Sequence, residues 1–239
     1  MIPLLITTIA GISTLFGIIP TYIKNVNRDK LINFSLSFSA GSMITLSIFS
    51  LIPESFSSIN NIIWVLLFMN IGVIISRFLD NFISKETSNS LYKVGITSLI
   101  ALILHNIPEG IITFISSDSN LSLGITLAFG IALHNIPEGL SIAIPIYHST
   151  NNHRKVFILV LISALSELIG GILAALFFKD IITPLYLGII YGITAGIMLE
   201  ISFGELLKEA GYYCDKRLTF LGVLFGFLIM FVCIFYFRL

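Results

Sequence analysis

Charge is scarce in this chain: of 239 residues only 11% are Asp, Glu, Lys or Arg, against about 25% in a soluble domain. A shortfall of that size argues strongly against a water-soluble fold. Disorder is excluded as well, because disordered chains are poor in apolar residues and here 56% are hydrophobic. Neither sign of charge dominates: thirteen basic residues balance thirteen acidic ones, so no global field draws in nucleic acid. Cysteine is nearly absent. Cys214 and Cys233 make no CxxC pair and no disulfide framework.

What the chain does have is long apolar runs, with 20 Phe and many Ile and a mean hydropathy of +1.00. A helix crossing the hydrocarbon core needs about 20 apolar residues. Eight runs qualify: 2–23, 31–53, 62–79, 94–116, 121–147, 156–178, 183–207 and 218–237. The first has no basic n-region and no A-x-A-like cleavage site, so it reads as a retained span and not a signal peptide. Eight spans leave no room for a soluble module, so residues 1–239 are expected to form a single all-α integral membrane domain.

Basic residues sort to one side. Eleven of them (Lys24, Arg28, Lys30, Arg77, Lys85, Lys93, Arg154, Lys155, Lys208, Lys216 and Arg217) fall on the loops joining spans 1–2, 3–4, 5–6 and 7–8. Only Lys179 and Arg238 fall on the other side. Cytoplasmic loops carry the Lys/Arg excess, so both termini are expected on the extracytoplasmic side of the cell membrane.

The hexapeptide HNIPEG occurs twice, at 105–110 and 134–139, an offset of 29 residues. Each copy lies near the middle of its span. The polar stretch 117–120 joins spans 4 and 5, which should therefore run antiparallel, with a pseudo-twofold axis in the membrane plane. Transporters place their sites at the midplane between related elements. Within each copy His and Glu are at i and i+4 and share a helix face. Pro108 and Pro137 lack an N–H and press on the carbonyls of Leu104 and Leu133, so a kink is expected. Gly110 and Gly139 permit close helix approach.

A third mid-span acid, Glu167, lies in LISALSELIGGIL of span 6, ahead of Gly170 and Gly171. Each of Glu109, Glu138 and Glu167 costs roughly 2.5–3.5 kcal/mol at that depth on insertion scales. No Lys or Arg shares the depth to neutralise them. They must be protonated, hydrated or paired with a bound cation, and the two imidazoles beside them favour the cation. Imidazole nitrogen with carboxylate oxygen suits Zn²⁺ and neighbouring divalent metals, whereas calcium or magnesium prefers oxygen alone. The candidate set is His105, Asn106, Glu109, His134, Asn135, Glu138 and Glu167, in one site or in two sharing a carboxylate. Spacing leaves that choice open.

The plain alternative is a hydrogen-bonded His–Glu pair between helices. Two identical copies and a third acid weigh against it. Elsewhere the plain reading carries more weight, beside a functional one: Met43 fills space or offers a thioether, Glu54 is interfacial or lines an entry path, Arg77 and Asp80 form a local pair at i and i+3, and Glu205 snorkels, caps or lines a route. His148 and His153 are surface histidines, inert or collecting metal near an exit. A membrane metalloprotease would show HExxH, with a general-base Glu beside a ligand His; here Asn follows each motif His. A metal sensor without flux remains open on residues alone.

These features resemble the ZIP (Zrt/Irt-like) family of divalent metal transporters, in its bacterial, ZupT-like branch. The likeness runs over essentially the whole chain and is densest from the first HNIPEG through SELIGGILAAL. It implies a bundle of eight transmembrane helices with both termini outside, a binuclear midplane site, and transport of Zn²⁺, with Fe²⁺, Mn²⁺, Co²⁺ or Cd²⁺ as further cargo. The metal is cargo and no catalytic cofactor is implied. The resemblance puts ligands at His105, Asn106 and Glu109, at His134, Asn135 and Glu138, and at Glu167, with Met43 as a contributor in some members. It also implies an elevator, in which spans 1, 4, 5 and 6 move against spans 2, 3, 7 and 8, and a homodimer in the lipid bilayer. The chain departs from the common pattern in Leu168, where many members have Pro, in the absence of His from NFISKETSNSLYK, and in Ser50, where the branch tends to carry an acid.

Overall fold

A computed structural model describes residues 1–178, 183–213 and 215–237, without the side chains of 84–86 and 178. Lys85, Lys179, Cys214 and Arg238, used above in counting charge and cysteine, therefore lie outside the described side chains. The described residues form helices and no strand. Eight are long and apolar enough to cross a membrane: α1 (Ile2–Tyr22), α2 (Arg28–Ile59), α3 (Ile62–Ile83), α4 (Ser90–Ser119), α5 (Leu121–Thr150), α6 (His153–Phe177), α7 (Pro184–Gly211) and α8 (Lys216–Phe237).

Asparagine does most of the punctuation. The side chains of Asn27, Asn61, Asn89, Asn120 and Asn152 accept the backbone N–H of Lys30, Ile63, Tyr92, Leu123 and Lys155, capping five helix starts. Asn60 and Asn151 take the left-handed conformation that ends a helix, at φ 53° and 51°. Each Asn-Asn dipeptide thus stops one helix with its first residue and starts the next with its second. The expected loop at 117–120 shrinks to Asn120 alone, whose N–H donates to Ser116 O (2.9 Å) while its Oδ1 accepts from Leu123 N (3.1 Å). Hydropathy underestimates α2 because it stops at Pro53. A wider π-type turn at Ser47–Leu51 lets the helix continue through to Ile59. Helices α4 and α5 likewise run unbroken through Pro108 and Pro137.

The spans pack as two groups. Helices α1, α4, α5 and α6 are tightly inter-packed, and so are α2 with α8 and α3 and α2 with α7; the main seam between the groups is α2 against α5. Glycine pairs set the spacing inside the first group. A Cβ on Gly110 would collide with the Glu167 carbonyl and one on Gly170 with the Ile107 carbonyl, so α4 and α6 touch backbone to backbone. Gly17 and Gly139 do the same for α1 and α5. Along Ser13–Tyr22, α1 is wound as a slimmer 3₁₀ helix. There Ser13, Thr14 and Thr21 bond back to carbonyls three residues earlier, at 2.6–2.7 Å.

Gly170→Leu is expected to destabilise the detergent-solubilised protein by about 1–3 kcal/mol or more, the scale of core overpacking. Gly211→Ala, with nothing within 4 Å of the added Cβ, should leave the thermal midpoint unchanged. Equal midpoints for the two variants would contradict this packing.

Candidate metal site

All seven candidate residues are buried, and all lie in the α1–α4–α5–α6 group. The two HNIPEG copies face each other. The His105 and His134 rings are 6.2 Å apart, centre to centre. Glu109 Oε1 lies 2.9 Å from His134 Nε2 and 3.2 Å from its own-helix partner His105 Nε2, and Glu138 Oε1 lies 3.3 Å from His105 Nε2. These are close approaches without hydrogen-bond alignment at the imidazoles. One donor atom each from His105, His134 and Glu138 can be chosen so that all three lie within 4.8 Å of one another, which one ion can span.

The asparagines act as oriented clamps. Asn106 Nδ2 donates to the Ser163 carbonyl (3.2 Å) on α6. Asn135 Nδ2 donates to the Ala10 carbonyl (3.0 Å) on α1 and to Glu167 Oε2 (2.9 Å) on α6. With its nitrogen spent on a neighbouring helix, each amide keeps its Oδ1 buried and without a partner. Ser39 of α2 reaches across the group boundary to donate to the Pro137 carbonyl (2.6 Å).

Nine buried nitrogen or oxygen atoms of these seven residues have no hydrogen-bond partner, at least one from each residue. Native proteins leave few such atoms, and each costs roughly 1–3 kcal/mol. Among the described residues no Lys or Arg pairs with Glu109, Glu138 or Glu167. A cleft of about 190 Å³ reaches Glu109 and His134 from the end of the bundle that carries Asn60 and Asn120. Its walls include Ser50 and Glu54 of α2 and Tyr191 of α7.

Other expected roles resolve differently. His153 is stacked between Tyr22 (4.2 Å) and Tyr147 (4.4 Å), with Nδ1 3.3 Å from Thr21 Oγ1, and the carbonyl of His148 accepts from Arg28 (2.9 Å). Both help hold α1, α2, α5 and α6 together, away from the seven. Arg77 and Asp80 do not pair locally. Arg77 bonds Glu200 of α7 (2.9 Å), while Asp80 pairs with Lys93 of α4 (2.6 Å), because packed neighbours lie closer than the next turn. Glu205 joins Lys93 at 3.5 Å. Met43 is buried one turn along α2 from Ser39.

Comparison with known proteins bears on the same residues. The model of the ZIP zinc transporter family matches residues 84–234, a stretch that holds both motifs and Glu167. The zinc transporter ZupT of Oceanobacillus iheyensis is 32% identical, with 96% of each chain covered. Those of Chlorobaculum parvum and Streptococcus mutans are also 32% identical, covering 94% and 95% of this chain and 93% and 94% of theirs. The chain belongs to the ZIP zinc transporter family. Within that family it is a ZupT-like, multi-pass membrane protein, and the helices α1, α2 and α3 that precede the family match are still covered by the full-length relatives.

In this ZIP protein the candidate site is a buried cluster of three carboxyl groups and two imidazoles. Removing one buried carboxylate with Glu138→Gln is expected to stabilise the metal-free protein by on the order of 1–3 kcal/mol, read as a higher thermal midpoint. The same variant should lose most of the stabilisation that added Zn²⁺ gives the parent. Thermal unfolding with and without Zn²⁺ checks both, and a lower metal-free midpoint would contradict the reading.

Proposed function

We propose that this ZIP protein carries Zn²⁺ into the cytoplasm on His105, Asn106, Glu109, His134, Asn135, Glu138 and Glu167, with Fe²⁺, Mn²⁺, Co²⁺ and Cd²⁺ as weaker cargo. It is a transporter and not an enzyme, and the metal is its substrate. The observation that carries the reading is the set of nine partnerless atoms, all on residues of the duplicated motifs and Glu167. A divalent cation would satisfy several at once and offset the carboxylate charge. Mixed imidazole and carboxylate donors favour zinc-like ions over calcium or magnesium. Seven donor residues are enough for two ions sharing a carboxylate.

The route follows from the packing. Sorting of Lys and Arg puts the Asn120 end outside and the termini with it, so the cleft faces the extracytoplasmic side. At the other end, contacts tie the two helix groups together. Lys93 of α4 bonds Asp80 of α3 and approaches Glu205 of α7; Ser90 of α4 donates to Glu209 of α7 (3.0 Å); Arg28 of α2 donates to His148 of α5. These contacts support the reading of an outward-open state closed towards the cytoplasm. In the elevator we propose, residues 1–239 act as one transport domain in which α1, α4, α5 and α6 carry the ion past α2, α3, α7 and α8 once these ties break. Partly exposed ties of this kind are worth about 0–1 kcal/mol each, weak enough to exchange in every cycle. The group α2–α3–α7–α8 would stay fixed in the lipid, as a homodimer through its least covered span, α3.

In proteoliposomes the intact protein should show saturable uptake of radioactive zinc, which Glu138→Ala should abolish and Glu167→Ala should reduce at least tenfold. Zinc bound tightly by the intact protein without uptake would leave a sensor instead. Metal binding needs neutral imidazole and ionised carboxylate, so acidification adds protons that compete with the ion. Zinc affinity is expected to weaken as pH falls from about 8 to 5, and a pH-independent affinity by titration calorimetry would contradict this.

A further inference from the structure

Glu54 sits at the outer end of α2, on the first turn after the wide turn at Ser47–Leu51. That turn holds one residue more than an α-turn. The extra residue re-aims the face that follows by roughly 100°. Both Ser50 and Glu54 line the cleft that ends at Glu109 and His134. Apart from Glu109, Glu54 is the cleft's only carboxylate, and no Lys or Arg lines it among the described residues. Tyr191 of α7 lines the same cleft, together with Glu54 and Glu109.

The state of this carboxylate sets it apart. At the opposite end Asp80 and Glu205 face Lys93, Glu200 is held by Arg77, and Glu209 accepts from Ser90. Glu54 has no ion-pair or hydrogen-bonding side-chain partner among the described residues; only its backbone carbonyl is engaged, by Ser57 Oγ (2.9 Å). An unneutralised negative charge at the mouth of a cleft with low-dielectric walls focuses field lines and raises the local cation concentration. It is exposed, so an arriving ion can exchange part of its water there before entering. The tyrosine hydroxyl offers an oxygen on the way, and Glu109, at the inner end, is the first carboxylate of the buried cluster.

We propose that Glu54 is an outer capture residue for divalent cations, which it passes by way of the Tyr191 hydroxyl to Glu109. The proposal rests on the transport reading for its purpose, but concerns the approach of the ion and not its final ligands. A residue that only eases the approach changes association and dissociation together and leaves the equilibrium constant alone. A ligand of the bound ion changes the equilibrium constant and speeds release. A structural residue moves neither rate once the protein is folded.

The test is stopped-flow binding of Zn²⁺ alone to the full chain in detergent, with a competing fluorescent indicator. Glu54→Gln should slow association about fivefold to tenfold and slow dissociation in step, keeping Kd within about twofold. Glu54→Asp retains the charge and should keep the parent's rate, and Tyr191→Phe should slow both directions without removing the effect of Glu54→Gln. The gap between parent and Glu54→Gln should shrink as ionic strength rises, because the mouth is exposed to screening. Association by Glu54→Gln at the parent's rate, a salt-independent gap, or a weakened Kd with faster release would each overturn the proposal. Binding kinetics need no flux, so absence of uptake by the intact protein would sink the transport reading while leaving this measurement decisive for Glu54.

Discussion

Three carboxylates and two imidazoles are buried in the middle of a membrane bundle, and among the described residues no Lys or Arg pairs with them. Glu109, Glu138 and Glu167 are each at most 8% exposed. At roughly 2.5–3.5 kcal/mol apiece on insertion scales, they would be discarded from a fold that used them only for packing. Glu109 lies against two imidazoles, but the atoms are close without being aimed as hydrogen bonds.

Much of the surrounding architecture holds that cluster together. Glycine pairs bring α4 onto α6 and α1 onto α5, and so place the motif of one helix within reach of the others. Asn106 and Asn135 then lock helix to helix through their amide nitrogens, which leaves their oxygens on the cluster's side of the balance. The same Asn135 nitrogen fixes one oxygen of Glu167 and leaves the other without a partner. These constraints act within one helix group. The links across the groups combine an apolar seam, in which Leu36 and Met43 of α2 share a buried cluster with Ile142 and Ile146 of α5, with a few polar ties such as Ser39 to the Pro137 carbonyl.

The sequence revealed the cluster's members because they obey local rules. His and Glu at i and i+4 share a face whatever the helix packs against, and a repeated hexapeptide announces a repeated role. Span count was legible for a similar reason, since bilayer thickness fixes the length of an apolar run. Span ends were less legible, because Asn caps carry helices beyond the lipid-length core and a π-type turn takes α2 past Pro53. What stayed hidden depends on which helices become neighbours. Nothing in the spacing of Arg77 and Asp80 says that each will prefer a partner on another helix. Nothing in Tyr191 or Ser39 announces that one will line the cleft and the other grip the Pro137 carbonyl. A tyrosine interrupting the apolar run of α7 was the faint signal for the former.

The central claim is that a divalent ion sits among imidazole and oxygen donors of the duplicated motif, and X-ray absorption at the zinc edge of the zinc-loaded protein addresses it directly. We expect a first shell of nitrogen and oxygen at about 2.0–2.2 Å, with imidazole outer-shell features that disappear when His105 and His134 are both replaced by Ala. A sulfur shell at about 2.3 Å, or a spectrum indifferent to loss of the two histidines, would contradict the account.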